Sequence, residues 1–309
     1  MAIKNQTIAT EIILLGFTFD PTINIVLLFL FCIIYKVTFV GNGLIIFVIL
    51  TNPHLHVPMY YFLCVLCFLD LSHSSTVVPW WMADLLSSDR IISLGGCITQ
   101  IYVIEFLEGC ECLLLAIMAY DRYVAISQPL HYTVLMHWNI CYRFTATIVF
   151  LSAMICLFPS IFLHVALCGN QINHFMCELL AVLTLSCEDI STIEVLIFSI
   201  SFLSLFLPFI LIIISYAFIL FSVLKIQSAG RSKAWSSHVA VVVLYFGTVM
   251  LMYFGPSSQY STNQEKYSSI FYAVVSPMLN PIIYSLNNRE VKETFLKMLS
   301  KVTSSAMTW

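Results

Sequence analysis

The feature that most constrains this chain is a succession of long apolar stretches. A helix needs about 20 mostly apolar residues to cross the hydrocarbon core of a bilayer. Seven such stretches occur, at roughly 23–50, 57–82, 98–120, 143–166, 193–224, 236–256 and 267–286. The second is the weakest, because Ser72-His73-Ser74-Ser75-Thr76 interrupts it, and the sixth is short. Composition points the same way: 60% of the 309 residues are hydrophobic and 9% are charged, against roughly 25% charged in soluble domains. Lipid is the solvent that accepts so much apolar surface. In lipid each backbone polar group must be satisfied internally, so the expected fold is an all-α membrane protein, a seven-transmembrane helix bundle. Pro79, Pro159, Pro208, Pro277 and Pro281 lie in or near spans, where neighbouring helices can satisfy the backbone groups they free. The organisation expected is an N-terminal flank (1–22), one bundle domain (23–286) and a tail (287–309).

Placement of the 13 Lys and Arg residues sets orientation. With the N-terminus outside, Arg122, Arg143, Lys225, Arg231, Lys233, Arg289, Lys292, Lys297 and Lys301 fall inside, and Lys4, Arg90 and Lys266 outside. Lys36 lies within the first span. The C-terminus is then cytoplasmic. Asn5-Gln6-Thr7 is a glycosylation sequon on the expected outer side. The early cluster Ile12 to Leu15 is too short for a signal-peptide core, so the first span is expected to act as an uncleaved anchor. Past the last span, Val291, Phe295, Leu296 and Leu299 share a helical face opposite the cations. This reads as a short amphipathic helix on the cytoplasmic leaflet, with a disordered tail as the alternative. The net charge of -3 and the scattered cations argue against a nucleic-acid partner.

Of the 11 cysteines, Cys97, Cys168, Cys177 and Cys187 lie at or near the outer face. An oxidising exterior favours disulfides there. Four cysteines allow three pairings, and spacing does not choose among them. The rival reading is a metal site through His174-Phe175-Met176-Cys177-Glu178.

Ionisable groups inside spans are costly and mark function by default. Asp70 is mid-span in the second stretch, and Glu105, Glu108 and Glu111 lie in the third. Glu105 and Glu108, three apart, sit on one side of a helix. Asp121-Arg122 at the inner edge of the third span can form a local ion pair or present Arg122 to a partner; the plainer reading is a snorkelling Arg. Pro281 breaks the last helix beside Asn280 and Tyr284, a plausible hinge.

Met118-Ala119-Tyr120-Asp121-Arg122-Tyr123-Val124-Ala125-Ile126 and Pro277-Met278-Leu279-Asn280-Pro281-Ile282-Ile283-Tyr284 together resemble the rhodopsin-like G-protein-coupled receptors. Gly41-Asn42-Gly43, Pro58-Met59-Tyr60-Tyr61-Phe62-Leu63, Ser215-Tyr216, the loop Ile172 to Glu178 and Leu185-Ser186-Cys187 narrow the resemblance to the olfactory (odorant) receptors, class II branch. It runs from about residue 5 to residue 297. It implies disulfides Cys97–Cys177 and Cys168–Cys187. It implies binding of a small volatile odorant among the helices, with Glu105, Glu108, Phe246, Tyr253 and Tyr272 as pocket candidates. It also implies coupling to a stimulatory heterotrimeric G protein that raises cyclic AMP, with Asp121, Arg122, Tyr123, Tyr216, Asn280, Pro281 and Tyr284 in activation. Membrane lipid and trafficking chaperones complete the expected partners, and the plasma membrane is the expected location. The resemblance makes Asp70 and Glu111 neighbours near Asn280, where they would hold a sodium ion or share a proton, or form a hydrogen-bonded core without an ion; no other cofactor is expected. Glu105 and Glu108 would favour an amine or other polar ligand, or be protonated, or face Lys36. The chain departs from the family at Lys233-Ala234-Trp235-Ser236-Ser237-His238, two residues shorter than usual, and at Ser127, where Cys is common.

A transporter or channel would show repeats or broken helices around a mid-membrane site, and none is evident. A light receptor needs a Schiff-base Lys in the last span, and Tyr267 to Leu286 contains none. An amine-neurotransmitter receptor would carry Asp where Ile104 stands, and a non-olfactory rhodopsin-like receptor is the nearest alternative. No nucleophile–base pair or phosphate loop suggests an enzyme.

Overall fold

The computed structural model describes residues 10–16, 20–87, 90–161, 167–226, 242–243, 246–247, 269–287 and 290–296. Helix α1 (Pro21–Thr51) starts where the sequence supplies both a cap and a pre-set φ. Asp20 accepts a hydrogen bond from the Thr22 backbone N–H (2.8 Å), and Pro21 occupies the first turn. Helix α2 (Pro58–Leu86) again opens on proline. It runs straight through the polar segment expected to interrupt it. The Ser72 hydroxyl donates to the Phe68 carbonyl (2.8 Å) and Thr76 to that of Ser72 (2.9 Å), so these hydroxyls are satisfied by their own helix. His73 and Ser74 meanwhile point into the bundle and are buried.

Helix α3 (Leu94–Ser127) is capped by Ser93, which accepts from the Gly96 N–H. Its 34 residues would extend about 50 Å, beyond the expected span at both ends. Helix α4 (Trp138–Ile161) and helix α5 (Ser191–Ile226) follow. Of the expected sixth span, 242–243 and 246–247 are helical and the remainder lies outside the described residues. The seventh begins with a π-helical turn, Phe271–Val275, and continues as Ser276–Asn287. Residues 290–296 are helical and form the expected tail helix.

Among the described residues, four helices (α1, α2, α4 and α5) are long and apolar enough to cross a membrane by length and composition. Helix α3 has the length but carries Glu105, Glu108 and Glu111 in its middle turns. Burial tells the helices apart: 11% of the most apolar window of α1 is buried, against 56% for α2. Helix α1 therefore presents most of its surface to lipid, while α2 and α3 form the centre. Helix α3 packs on α2, α4 and α5, and α1 on α2 and the seventh-span helix.

The addition to the expected all-helical fold is a small sheet at the end of the bundle that carries the N-terminal segment, called the outer end from the orientation expected above. Strand β1 (Glu11–Leu14) pairs antiparallel with β2 (Ile91–Ser93), Ile12 opposite Ile92, and parallel with β3 (Gln171–Ile172). Ile12 and Leu14 alternate inward and are buried against Ile172, Cys97 and Cys177. The cluster too short for a signal peptide is an edge-to-edge clasp between the N-terminal segment and two loops.

Candidate functional site

The polar core begins with a missing donor. Pro281 has no N–H, so the carbonyl of Pro277 one turn earlier loses its helical partner. Asn42 of α1 supplies the replacement: its Nδ2 donates to the Pro277 carbonyl (3.0 Å) and to that of Thr38 (3.0 Å). Gly41 lets α1 come close enough, since a Cβ there would lie 3.0 Å from the Pro281 ring. One turn deeper, Asn280 donates to both carboxylate oxygens of Asp70 at 3.0 Å. The motifs Gly41-Asn42 and Asn280-Pro281 are thus two halves of one joint.

Beside Asp70 on α2 lies a residue that the sequence shows only as part of a polar interruption. His73, one turn along α2, is fully buried, with Nδ1 3.5 Å from Glu111 and Nε2 3.9 Å from Glu108. The signal was present in the spacing. Asp70/His73 and Glu108/Glu111 are each three apart, so each pair lies on one face of its helix, and α2 packs on α3. Asp70 and Glu111 are buried at 0% and 3% exposure. Two carboxylates enclosed in one core repel each other, and a cation or a hydrogen bond between them relieves that repulsion.

Glu108 is also exposed to a second environment. With Glu105, Gly109 and Cys112 of α3, Cys156 of α4 and Ser204 of α5 it lines a small cleft of about 70 Å³. Of the other pocket candidates, Phe246 is buried with its ring 5.3 Å from Phe209 of α5. Tyr253 and the side chain of Tyr272 lie outside the described residues. Lys36 is exposed on the outer face of α1, and among the described residues it forms no ion pair.

At the inner end, Asp121 is buried and accepts a hydrogen bond from the Tyr132 hydroxyl (2.8 Å). Among the described residues no Asp121–Arg122 contact falls within ion-pair distance, which leaves the alternative in which Arg122 is held apart from Asp121. Burial and the adjacent Asp121 carboxylate push the Tyr132 phenol above its ordinary range, so it keeps its proton and remains a donor. Arg122 is half-buried. The Tyr123 ring sits 5.7 Å from Phe218, and Tyr216 packs on the core. The Tyr284 side chain lies outside the described residues.

The outer end is closed by a loop folded into the bundle. Cys97 is bonded to Cys177 and Cys168 to Cys187. Phe175 packs edge-on against Trp81 at 4.0 Å, and Gln100 accepts from the Cys177 N–H. His174 lies 3.6 Å from Glu178, which accepts from Ser269 at the start of the seventh span. With Cys177 in a disulfide, the metal reading loses its thiolate, and among the described residues no metal-binding cluster forms.

Residues 31–302 match the family model described as olfactory receptor. The chain belongs to the olfactory receptor family. It is 42% identical to olfactory receptor 5AR1 of Mus musculus, covering 96% of this chain and 98% of that protein. It is 43% identical to olfactory receptor 5AR1 of Homo sapiens, with the same coverage. It is likewise 43% identical to olfactory receptor 2C3 of Homo sapiens, over 97% and 95%. In fold it matches the crystal structure of squid rhodopsin with a TM-score of 0.74 over 93% of this chain and 84% of that one, at 18% identity. The olfactory receptor is therefore a seven-helix, rhodopsin-like G-protein-coupled receptor of the plasma membrane, and not an enzyme. The non-olfactory receptor and transporter readings fall away. Asn5 and the shortened segment at Lys233 lie outside the described residues.

Proposed function

We propose that this receptor takes a small volatile odorant into the bundle beside Glu105 and Glu108 and activates a stimulatory heterotrimeric G protein, raising cyclic AMP. The observation that carries the reading is the double engagement of Glu108, which lines the cleft and also approaches His73. A ligand that draws on Glu108 changes what His73 can offer Glu111, and through α2 the Asp70–Asn280–Pro281 joint. A ligand shifts such an equilibrium only by its differential affinity for the two states, and a contact made or broken at Glu108 is such a difference. An amine or other hydrogen-bond donor suits the two carboxylates.

Asp70 and Glu111 hold a sodium ion or a shared proton in the inactive arrangement. Asp121, Arg122 and Tyr123, with Tyr216, form the inner surface offered to the G protein. The N-terminus is extracellular and glycosylated at Asn5, the C-terminus is cytoplasmic, and trafficking chaperones assist surface delivery.

The test is cyclic AMP in cells displaying the receptor, against a panel of volatile odorants that includes amines. The reading requires a dose-dependent rise, with Glu108→Gln altering the ligand profile. An unchanged profile in Glu108→Gln would remove the carboxylate from recognition. Asp70→Asn should abolish the sodium sensitivity of the response; basal activity, agonist response and sodium sensitivity all unchanged would exclude the ion site.

A further inference from the structure

The seventh-span helix, α1 and the tail helix enclose a groove apart from the cleft at Glu105 and Glu108. Val37, Leu44 and Val48 of α1, Pro281, and Phe295 with Lys292 of the tail helix line it, around a volume of about 310 Å³. That is the lower end of the range for small-molecule sites, about 300–1,000 Å³. Among its described lining residues Lys292 alone is charged. The outward rim is bare hydrocarbon: Val37 and Ile282 are 38% exposed and Leu296 53%.

The walls are held without an occupant. The Tyr60 hydroxyl donates to Glu290 (2.8 Å), His54 meets the Thr294 hydroxyl (3.1 Å), and Val291 is buried. The Tyr60 contact engages Glu290 on the α2 side of the tail helix. An apolar trough with a single cation at its edge, opening toward lipid, is complementary to one acyl chain and one acidic headgroup.

We propose that this groove binds an anionic phospholipid, one acyl chain lying against Leu44 and Pro281 and the phosphate on Lys292. The lipid braces α1 against the seventh-span helix at the Pro281 break, where the Gly41 contact already brings them together.

The full-length receptor, purified in detergent and stripped of lipid, is titrated with equimolar palmitoyl-oleoyl phosphatidylserine and phosphatidylcholine and examined by native mass spectrometry. The receptor should retain phosphatidylserine about fivefold over phosphatidylcholine, the ratio expected for one cation at an anionic leaflet, about 1 kcal/mol at 1.4 kcal/mol per decade. Lys292→Arg should keep the preference and Lys292→Gln should erase it. Leu44→Trp, which fills the trough, should lower retention of both lipids. The proposal is overturned if the unsubstituted receptor retains neither lipid or both equally, if Lys292→Gln keeps the preference, or if Leu44→Trp binds as before with an unchanged unfolding midpoint.

Discussion

The two ends of the bundle are built differently. At the outer end, two disulfides close sequence separations of 80 and 19 residues, a three-stranded sheet ties the N-terminal segment to two loops, and Phe175 is buried on Trp81. At the inner end, Asp121 is held by one hydrogen bond from Tyr132, a residue of the following loop. The tail helix is held there by side-chain hydrogen bonds to Tyr60 and His54 and by burial of Val291. One end resists rearrangement and the other can rearrange at the cost of a few hydrogen bonds. A receptor that recognises its ligand near a fixed end and responds at a loose one needs a connection between them. In the function proposed above, the run Glu108–His73–Glu111, with Asp70–Asn280 beside it, supplies that connection.

Breaking the outer end should cost most. Cys97→Ser releases the longer covalent loop and should destabilise by about 4 kcal/mol, and Cys168→Ser by about 3 kcal/mol, following loop length. Thermal unfolding of the purified receptor and surface display in cells both read this, and equal losses would contradict the ranking. Next, His73→Leu leaves Glu108 and Glu111 facing each other in the core. Leaving buried polar groups without a partner costs about 3 kcal/mol, and the variant should also respond abnormally to agonist. A His73→Leu receptor with unchanged unfolding and dose–response would disconnect the two ends. Asn42→Ala orphans the Pro277 carbonyl and should cost about 2 kcal/mol, while Asn42→Ser keeps a polar group and should recover part of the loss.

The smallest effect is expected at the loose end. Tyr132→Phe removes one hydrogen bond to a carboxylate, worth about 1.5 kcal/mol. If that bond favours the inactive arrangement, basal cyclic AMP rises about tenfold at equal surface level, since 1.4 kcal/mol is one decade. No rise in basal signal would mean that Tyr132 does not hold the inner end.

The helices were legible because lipid imposes a minimum apolar length, which 23–50 or 193–224 meets without ambiguity. The strands were not legible. Glu11–Leu14 has alternating burial over only four residues, and its partners lie about 80 and 160 positions away, so their pairing depends on how the helices bring the loops together. In the site, Asp70, Glu105, Glu108 and Glu111 stood out because a charge inside a span is conspicuous. His73 did not, because a histidine within a Ser-rich segment reads as weak hydrophobicity rather than as an inward polar face. Tyr132 was not legible as the partner of Asp121 either, because it reaches the carboxylate from the following loop and no local spacing signals that contact.

The most direct test of the account is nucleotide exchange on a purified stimulatory G protein by this receptor in lipid nanodiscs, with and without an agonist found in the cell assay. The account predicts agonist-dependent exchange that Arg122→Ala abolishes while both disulfides and the unfolding midpoint are kept. Exchange that is indifferent to agonist, or that survives intact in Arg122→Ala, would contradict a receptor that binds at its fixed end and signals through its loose one.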